Sequence, residues 1–150
     1  MAGGPARLSV ANVPELVYNK EAMDNKKILI IEDEEAMLDA ISQALTNQEF
    51  TTLTATDGEQ GLAISLKERP DLILLDILMP KMDGMIMLQK LRHDEWGRTV
   101  PVIILTNVNP NSSYVINSVL RNQPAYYLVK SDIKLEGIVD RVKEVLKIED

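Results

Sequence analysis

Carboxylates, a hydroxyl and an amine fall at the ends of apolar runs along this 150-residue chain. Glu32 and Asp33 follow Lys27-Ile28-Leu29-Ile30-Ile31, and Asp76 follows Asp71-Leu72-Ile73-Leu74-Leu75. Thr106 follows Val102-Ile103-Ile104-Leu105, and Lys130 follows Tyr126-Tyr127-Leu128-Val129. In an open parallel sheet the carboxyl ends of the strands face one crevice, so residues about 100 positions apart in sequence can meet there. Clustered carboxylates repel one another and call for a compensating cation. The chemistry such a crevice could perform is acceptance of a phosphoryl group on a carboxylate, with a divalent metal and an ammonium neutralising charge.

The elements that must position these residues alternate in period. Strand-length apolar runs at about 27–32, 50–55, 71–76, 100–105 and 125–129 are separated by segments of helical spacing, which predicts an α/β fold with a five-stranded parallel sheet. Ile28 to Ile31 and Val102 to Leu105 are apolar on both faces, as sheet centres covered by helices on either side require. Leu38, Ile41 and Leu45 give the first helix one apolar stripe, and Ile138, Val142, Val145 and Leu146 give the last helix another. A second helix, about 58–68, starts after the cap Asp57 and is ended by Arg69-Pro70. A third is expected after Asp83-Gly84, and a fourth after Asn109 with Pro110 at its first position.

Composition narrows the function classes. The chain has no cysteine, which excludes disulfides, a thiol nucleophile and cysteine zinc sites and fits a cytoplasmic location. Its net charge of −7, from 23 acidic and 16 basic residues, argues against direct nucleic-acid binding through a broad basic surface. The longest apolar stretch, Leu72 to Pro80, is broken by Asp76 and is far short of the roughly 20 residues that span a bilayer, so no membrane role is expected. Residues 1–23 read as an N-terminal tail or linker and 24–150 as the folded domain, with Met23 at the boundary. Gly58 and Gly61 lack the spacing of a dinucleotide fingerprint and the lysine of a phosphate loop. His93 is expected at the surface.

Ile30-Ile31-Glu32-Asp33-Glu34, then Leu74-Leu75-Asp76-Ile77-Leu78-Met79-Pro80-Lys81-Met82-Asp83-Gly84, then Leu105-Thr106 and Tyr127-Leu128-Val129-Lys130, together resemble the receiver domain of two-component response regulators (CheY-like) over about 24–150. The resemblance implies a doubly wound, flavodoxin-like fold of strand order 2-1-3-4-5. It implies a phosphorylation-dependent signalling switch in a phosphorelay, in which Asp76 takes a phosphoryl group from a sensor histidine kinase, a phosphotransfer protein or a small donor. Such a domain is a stoichiometric acceptor with at most slow self-dephosphorylation, not an enzyme. The implied cofactor is Mg²⁺, held by Asp33, by Glu32 through water, by Asp76 and by the backbone carbonyl of Leu78, an oxygen-rich set suited to that ion. Lys130 would pair with Asp76 before reaction and with a phosphoryl oxygen afterwards. Thr106 and Tyr127 match the switch pair, and the surface they change, around the fourth helix and fifth strand, would be read by a downstream protein target. The face of helix 4, strand 5 and helix 5 is a candidate homodimer surface. Val115, Ile116, Val119 and Leu120 suggest a fourth helix with two apolar edges, against the plainer reading that all four are core.

Each residue also has a plainer reading: Asp76 as a strand-end cap, Lys130 as solvated surface, Tyr127 as packing, and Glu34 and Glu35 as helix-dipole partners. Two rival functions follow. One is an aspartate-based phosphatase, against which Leu78 stands where a second aspartate is wanted. The other is a pseudo-receiver interaction module that is never phosphorylated. Two positions depart from the family pattern. Ser131 stands where proline usually follows the lysine, which predicts a trans Lys130–Ser131 bond or a strained cis form, with Ser131 and Asp132 capping the last helix. Asn107 replaces a small residue and is expected to obstruct the inward swing of Tyr127. Apolar Leu78 and Val108 offer nothing to orient a hydrolytic water, which predicts a long-lived phosphorylated form.

Overall fold

The computed structural model describes residues 26–148. The expected tail and its boundary at Met23 lie outside the described residues. Five parallel strands, β1 (Lys27–Ile31), β2 (Thr51–Ala55), β3 (Leu72–Leu75), β4 (Val102–Thr106) and β5 (Tyr126–Val129), form one sheet in the order β2-β1-β3-β4-β5. The helices are α1 (Glu35–Asn47), α2 (Gly58–Glu68), α3 (Gly84–Arg92), α4 (Ser113–Asn122) and α5 (Leu135–Leu146). This is the expected flavodoxin-like topology. The register sets Ile30 beside Leu74 and Ile31 beside Leu75, and Leu75 beside Ile104, so the strand ends bearing Glu32, Asp76 and Thr106 lie side by side.

Alternating strand residues build two cores. Leu29, Ile31, Ile73, Leu75, Val102 and Ile104 pack with Leu62, Met85, Leu88, Leu91 and Val115 from α2, α3 and α4. Ile28, Ile30, Leu72, Leu74, Ile103 and Leu105 face the other way, onto Leu38, Ile41, Leu45, Ile138 and Val142 of α1 and α5. Each such side chain contributes about 1.5–3 kcal/mol on burial. The three central strands β1, β3 and β4 are thus covered on both faces and rigid enough to fix what stands at their ends.

Caps begin two helices where the sequence places them. Asp57 accepts from the Gln60 N–H at 2.7 Å, and Asp83 accepts from the Met85 and Ile86 N–H groups at 2.8 and 3.0 Å. Arg69, in the left-handed region at φ 47°, closes α2 ahead of Pro70.

Two expectations are corrected. Helix α4 starts at Ser113 instead of Pro110, because the Asn109 side chain closes a turn by accepting from the Asn111 N–H, and Ser112 supplies the cap by accepting from the Val115 N–H. Ser131 and Asp132 do not cap α5: they lie in a 3-10 turn, Lys130–Asp132, and α5 begins after Lys134 without a side-chain cap. The two apolar edges read on the fourth helix are present, and the plainer reading that all four residues are core is not: Val115 is buried and Val119 packs against the core, while Ile116 and Leu120 are exposed. The Lys130–Ser131 bond is trans, as are all peptide bonds among the described residues. His93 is exposed at the end of α3. None of the described helices is long and apolar enough to cross a membrane.

Candidate functional site

The carboxyl edge of β1 and β3 brings together the acidic groups read from the sequence. Glu32, Asp33 and Asp76 each offer an oxygen within 4.8 Å of the others. Glu32 and Asp76 are buried, at 2% and 6% exposure, while Asp33 opens to solvent. Their placement is held by main-chain bonds: the Glu32 N–H donates to the Ala55 carbonyl and the Asp76 N–H to the Ile31 carbonyl, both at 3.0 Å. Asp76 Oδ1 accepts from the Ile77 N–H at 2.7 Å, which fixes the rotation of the carboxylate. Glu32 Oε2 accepts from the Glu34 N–H at 3.0 Å, so the carboxylate also ties down the turn into α1.

Lys130, delivered by β5 from across the sheet, stands over both buried carboxylates. Its ammonium lies 2.6 Å from Glu32 Oε1 and 3.1 Å from Asp76 Oδ2. The pairing with Asp76 matches the expected position, whereas the closer pairing with Glu32 had no signal in the sequence. Burial pushes the Glu32 carboxyl above the usual glutamate range, against hydrogen bonds from Lys130 and the Glu34 N–H and aided by the charge of Asp76. Burial works against the Lys130 charge, but the Glu32 hydrogen bond and the Asp76 charge outweigh it and hold the ammonium above the ordinary lysine value. The site therefore keeps a cation against its carboxylates.

Thr106 is buried at the end of β4, its hydroxyl accepting from the Val108 N–H at 3.4 Å. Tyr127 is half-buried on β5, packs against the core beneath α4, and donates its hydroxyl to the Val108 carbonyl at 2.8 Å. The two expected switch residues thus hold the same loop residue, one through its N–H and the other through its carbonyl. The Asn107 side-chain oxygen accepts from the Ser131 N–H at 3.0 Å and joins the loops after β4 and β5. Leu78, two residues after Asp76, is 67% exposed and presents only hydrocarbon.

An all-oxygen set of three converging carboxylates suits a hard, oxygen-seeking divalent cation, so the residues present fit Mg²⁺. A buried carboxylate with an adjacent ammonium and a nearby hydroxyl is a set that can accept a phosphoryl group.

Comparisons with known proteins agree with this geometry. The family model of the response regulator receiver domain matches residues 28–143. This chain belongs to the response regulator receiver domain family. Among curated relatives, the DNA-binding dual master transcriptional regulator RpaA of Synechocystis is 41% identical over 80 residues, 53% of this chain and 33% of RpaA. The transcriptional regulatory protein AfsQ1 of Streptomyces coelicolor is 35% identical over 120 residues, 80% of this chain and 51% of AfsQ1. The chain spans from about a third to about half of the length of these two relatives. Among solved structures, a CheY-like receiver domain from Methanospirillum hungatei superposes with a TM-score of 0.74 at 27% identity, covering 81% of this chain and 94% of that one. The receiver domain of a histidine kinase from Syntrophus aciditrophicus gives 0.72 at 28% identity, covering 81% and 90%. The fold and family place the chain in phosphorylation-based two-component signalling.

Proposed function

We propose that this receiver domain is a stoichiometric phospho-switch in which Asp76 is the acceptor and Glu32, Asp33 and Asp76, with the Leu78 backbone carbonyl, hold Mg²⁺. The observation that carries this reading is the Lys130 ammonium set 2.6 Å from Glu32 and 3.1 Å from Asp76 at the carboxyl edge of the sheet, with Asp33 completing the acidic group. A sensor histidine kinase or phosphotransfer protein would supply the phosphoryl group, and a downstream protein would read the result.

In the transfer, a carboxylate oxygen of Asp76 forms a new bond to phosphorus as the phosphorus bond to the donor's imidazole nitrogen breaks. The electron pair of that bond leaves with the imidazole, which takes up a proton. With acetyl phosphate the leaving group is acetate. Lys130, which donates to Asp76 Oδ2, would follow the negative charge to a phosphoryl oxygen with its proton retained. When bound, Mg²⁺ neutralises charge on the carboxylates and the transferred group. The Thr106 hydroxyl, now accepting from the Val108 N–H, would turn to donate a hydrogen bond to the phosphoryl group. That exchange loosens the loop which Tyr127 grips through the Val108 carbonyl, and the conformation of the loop sets the start of α4. Apolar Leu78 and Val108 leave the adduct without a side chain to orient water, which favours slow self-dephosphorylation.

The test is intact mass after incubation with Mg²⁺ and acetyl phosphate. The native chain should gain a single phosphoryl group and an Asp76→Asn variant none. No adduct on the native chain would leave a pseudo-receiver interaction module instead.

A further inference from the structure

The loop that leaves Asp76 is clasped from two sides. On one side it meets the start of α2: a Cβ on Gly58 would fall 2.1 Å from the Met82 carbonyl oxygen, and Lys81 reaches Asp57 at 3.9 Å. On the other side Tyr114, in the first turn of α4, donates its hydroxyl to the Asp83 carboxylate, 3.0 Å from Oδ2 and 3.2 Å from Oδ1. Asp83 is no ordinary surface carboxylate, because it caps α3 through the Met85 and Ile86 N–H groups. The next residue, Gly84, donates to the Ile77 carbonyl at 2.7 Å and lies so close to the acceptor that a Cβ there would fall 2.0 Å from the Asp76 carbonyl oxygen. From the Tyr114 hydroxyl to the Asp76 backbone there are therefore two tight links, Asp83 and Gly84.

We propose that Tyr114 is a positioning residue for phosphoryl acceptance, fixing the acceptor loop to α4 through Asp83; this rests on the reading of Asp76 as acceptor. The start of α4 then answers to the site through two tyrosines. Tyr127 holds the Val108 carbonyl ahead of the helix, and Tyr114 holds Asp83 from within it. Because Asp83 also orders the first turn of α3, a shift of α4 reaches the acceptor backbone without passing through the sheet. Tyr114 is half exposed and its hydroxyl bonds to Asp83, so its effect would come through loop order.

Amide hydrogen exchange on the unphosphorylated protein, without added metal, tests the link, and the initial rate of acetyl phosphate uptake tests its role. Tyr114→Phe removes the hydroxyl and keeps the ring. Protection of the Met85 and Ile86 amides should fall about threefold to tenfold, the range for one hydrogen bond, and uptake should slow by a similar factor. Amides of Ile138 and Val142 in α5 should stay unchanged. Asp83→Asn, which keeps an oxygen able to accept from both amides and the hydroxyl, should retain protection and uptake within about twofold of wild type. Protection at Met85 and Ile86 unaltered in Tyr114→Phe, protection lost evenly through the fold, or lost protection with unchanged uptake would each overturn the proposal. If the wild type takes up no phosphoryl group, the acceptor reading fails and the positioning role fails with it. A wild-type adduct with an indifferent Tyr114→Phe variant overturns the positioning role alone.

Discussion

The side-chain oxygen of Asn107 accepts a hydrogen bond from the Ser131 N–H at 3.0 Å, joining the loop after β4 to the turn after β5. Both residues depart from the family pattern, and the structure pairs them. A proline at 131 could not donate this bond. Asn107 thus supports the turn that carries Lys130. Asn107→Ala should lower stability by about 0.5–1 kcal/mol, since the bond is exposed, with an unchanged urea m-value. An urea midpoint equal to wild type would show the contact to be idle.

Removing Lys130 should cost far more. Its side chain is 12% exposed, and those of Glu32 and Asp76 are 3% and 7% exposed, so Lys130→Met leaves two buried carboxylates without their cation. Loss of one partner from a buried pair costs about 3 kcal/mol or more. The deficit should shrink in acid. Glu32 already has a raised folded pKa, and losing Lys130 raises it further. A raised folded pKa means the folded form favours the proton, so its penalty as an anion is present at neutral pH and is relieved as pH falls through the folded value. Urea unfolding of both proteins at neutral and mildly acid pH measures this, and a pH-independent gap would contradict it.

How far the sequence reveals this molecule depends on the range of the interaction concerned. Fully apolar runs such as Ile28 to Ile31 can satisfy burial on both faces only as central parallel strands, so the sheet is legible. Asp57 is legible as a cap because a cap acts within three residues. The start of α4 departs from the expectation because Asn109-Pro110 is a sound local start signal, and only the turn closed by Asn109 and the Ser112 cap move it to Ser113. The pocket carboxylates and Lys130 were legible at strand ends, where topology alone makes them converge. The Lys130–Glu32 contact and the Tyr114–Asp83 bond were not, because side-chain reach between elements distant in sequence leaves no local pattern.

Metal binding should stabilise the fold by mass action, since a ligand of the folded state alone adds about 2.7 kcal/mol at a concentration 100 times its Kd. Mg²⁺ should raise the Tm of the native chain in a thermal scan, and the rise should be lost in Asp33→Asn, which removes the exposed carboxylate of the three while leaving the Lys130 contacts intact. In Lys130→Met the rise should be larger, because the ion then relieves carboxylates that Lys130 no longer neutralises. Equal Mg²⁺ shifts in the native chain and Asp33→Asn would remove Asp33 from the metal site.

Tyr114 titrates where the Asp83 link can be followed directly. Burial, the hydrogen bond to Asp83 and the Asp83 charge push its phenol up to about 12, against about 10 for a free tyrosine. Its pKa is raised on folding, so its contribution to stability is fully present below about pH 10 and is lost as pH rises through about 12. The cause is direct: the phenolate can no longer donate, and its charge faces the Asp83 carboxylate. Absorbance titration of phenolate should show a tyrosine near pH 12 in the native chain that is missing in Tyr114→Phe. It should shift towards the ordinary value in Asp83→Asn, where the neutral amide still accepts the hydrogen bond but exerts no charge. An unshifted titration in Asp83→Asn would assign the raised pKa to burial and the hydrogen bond, with no part for the Asp83 charge.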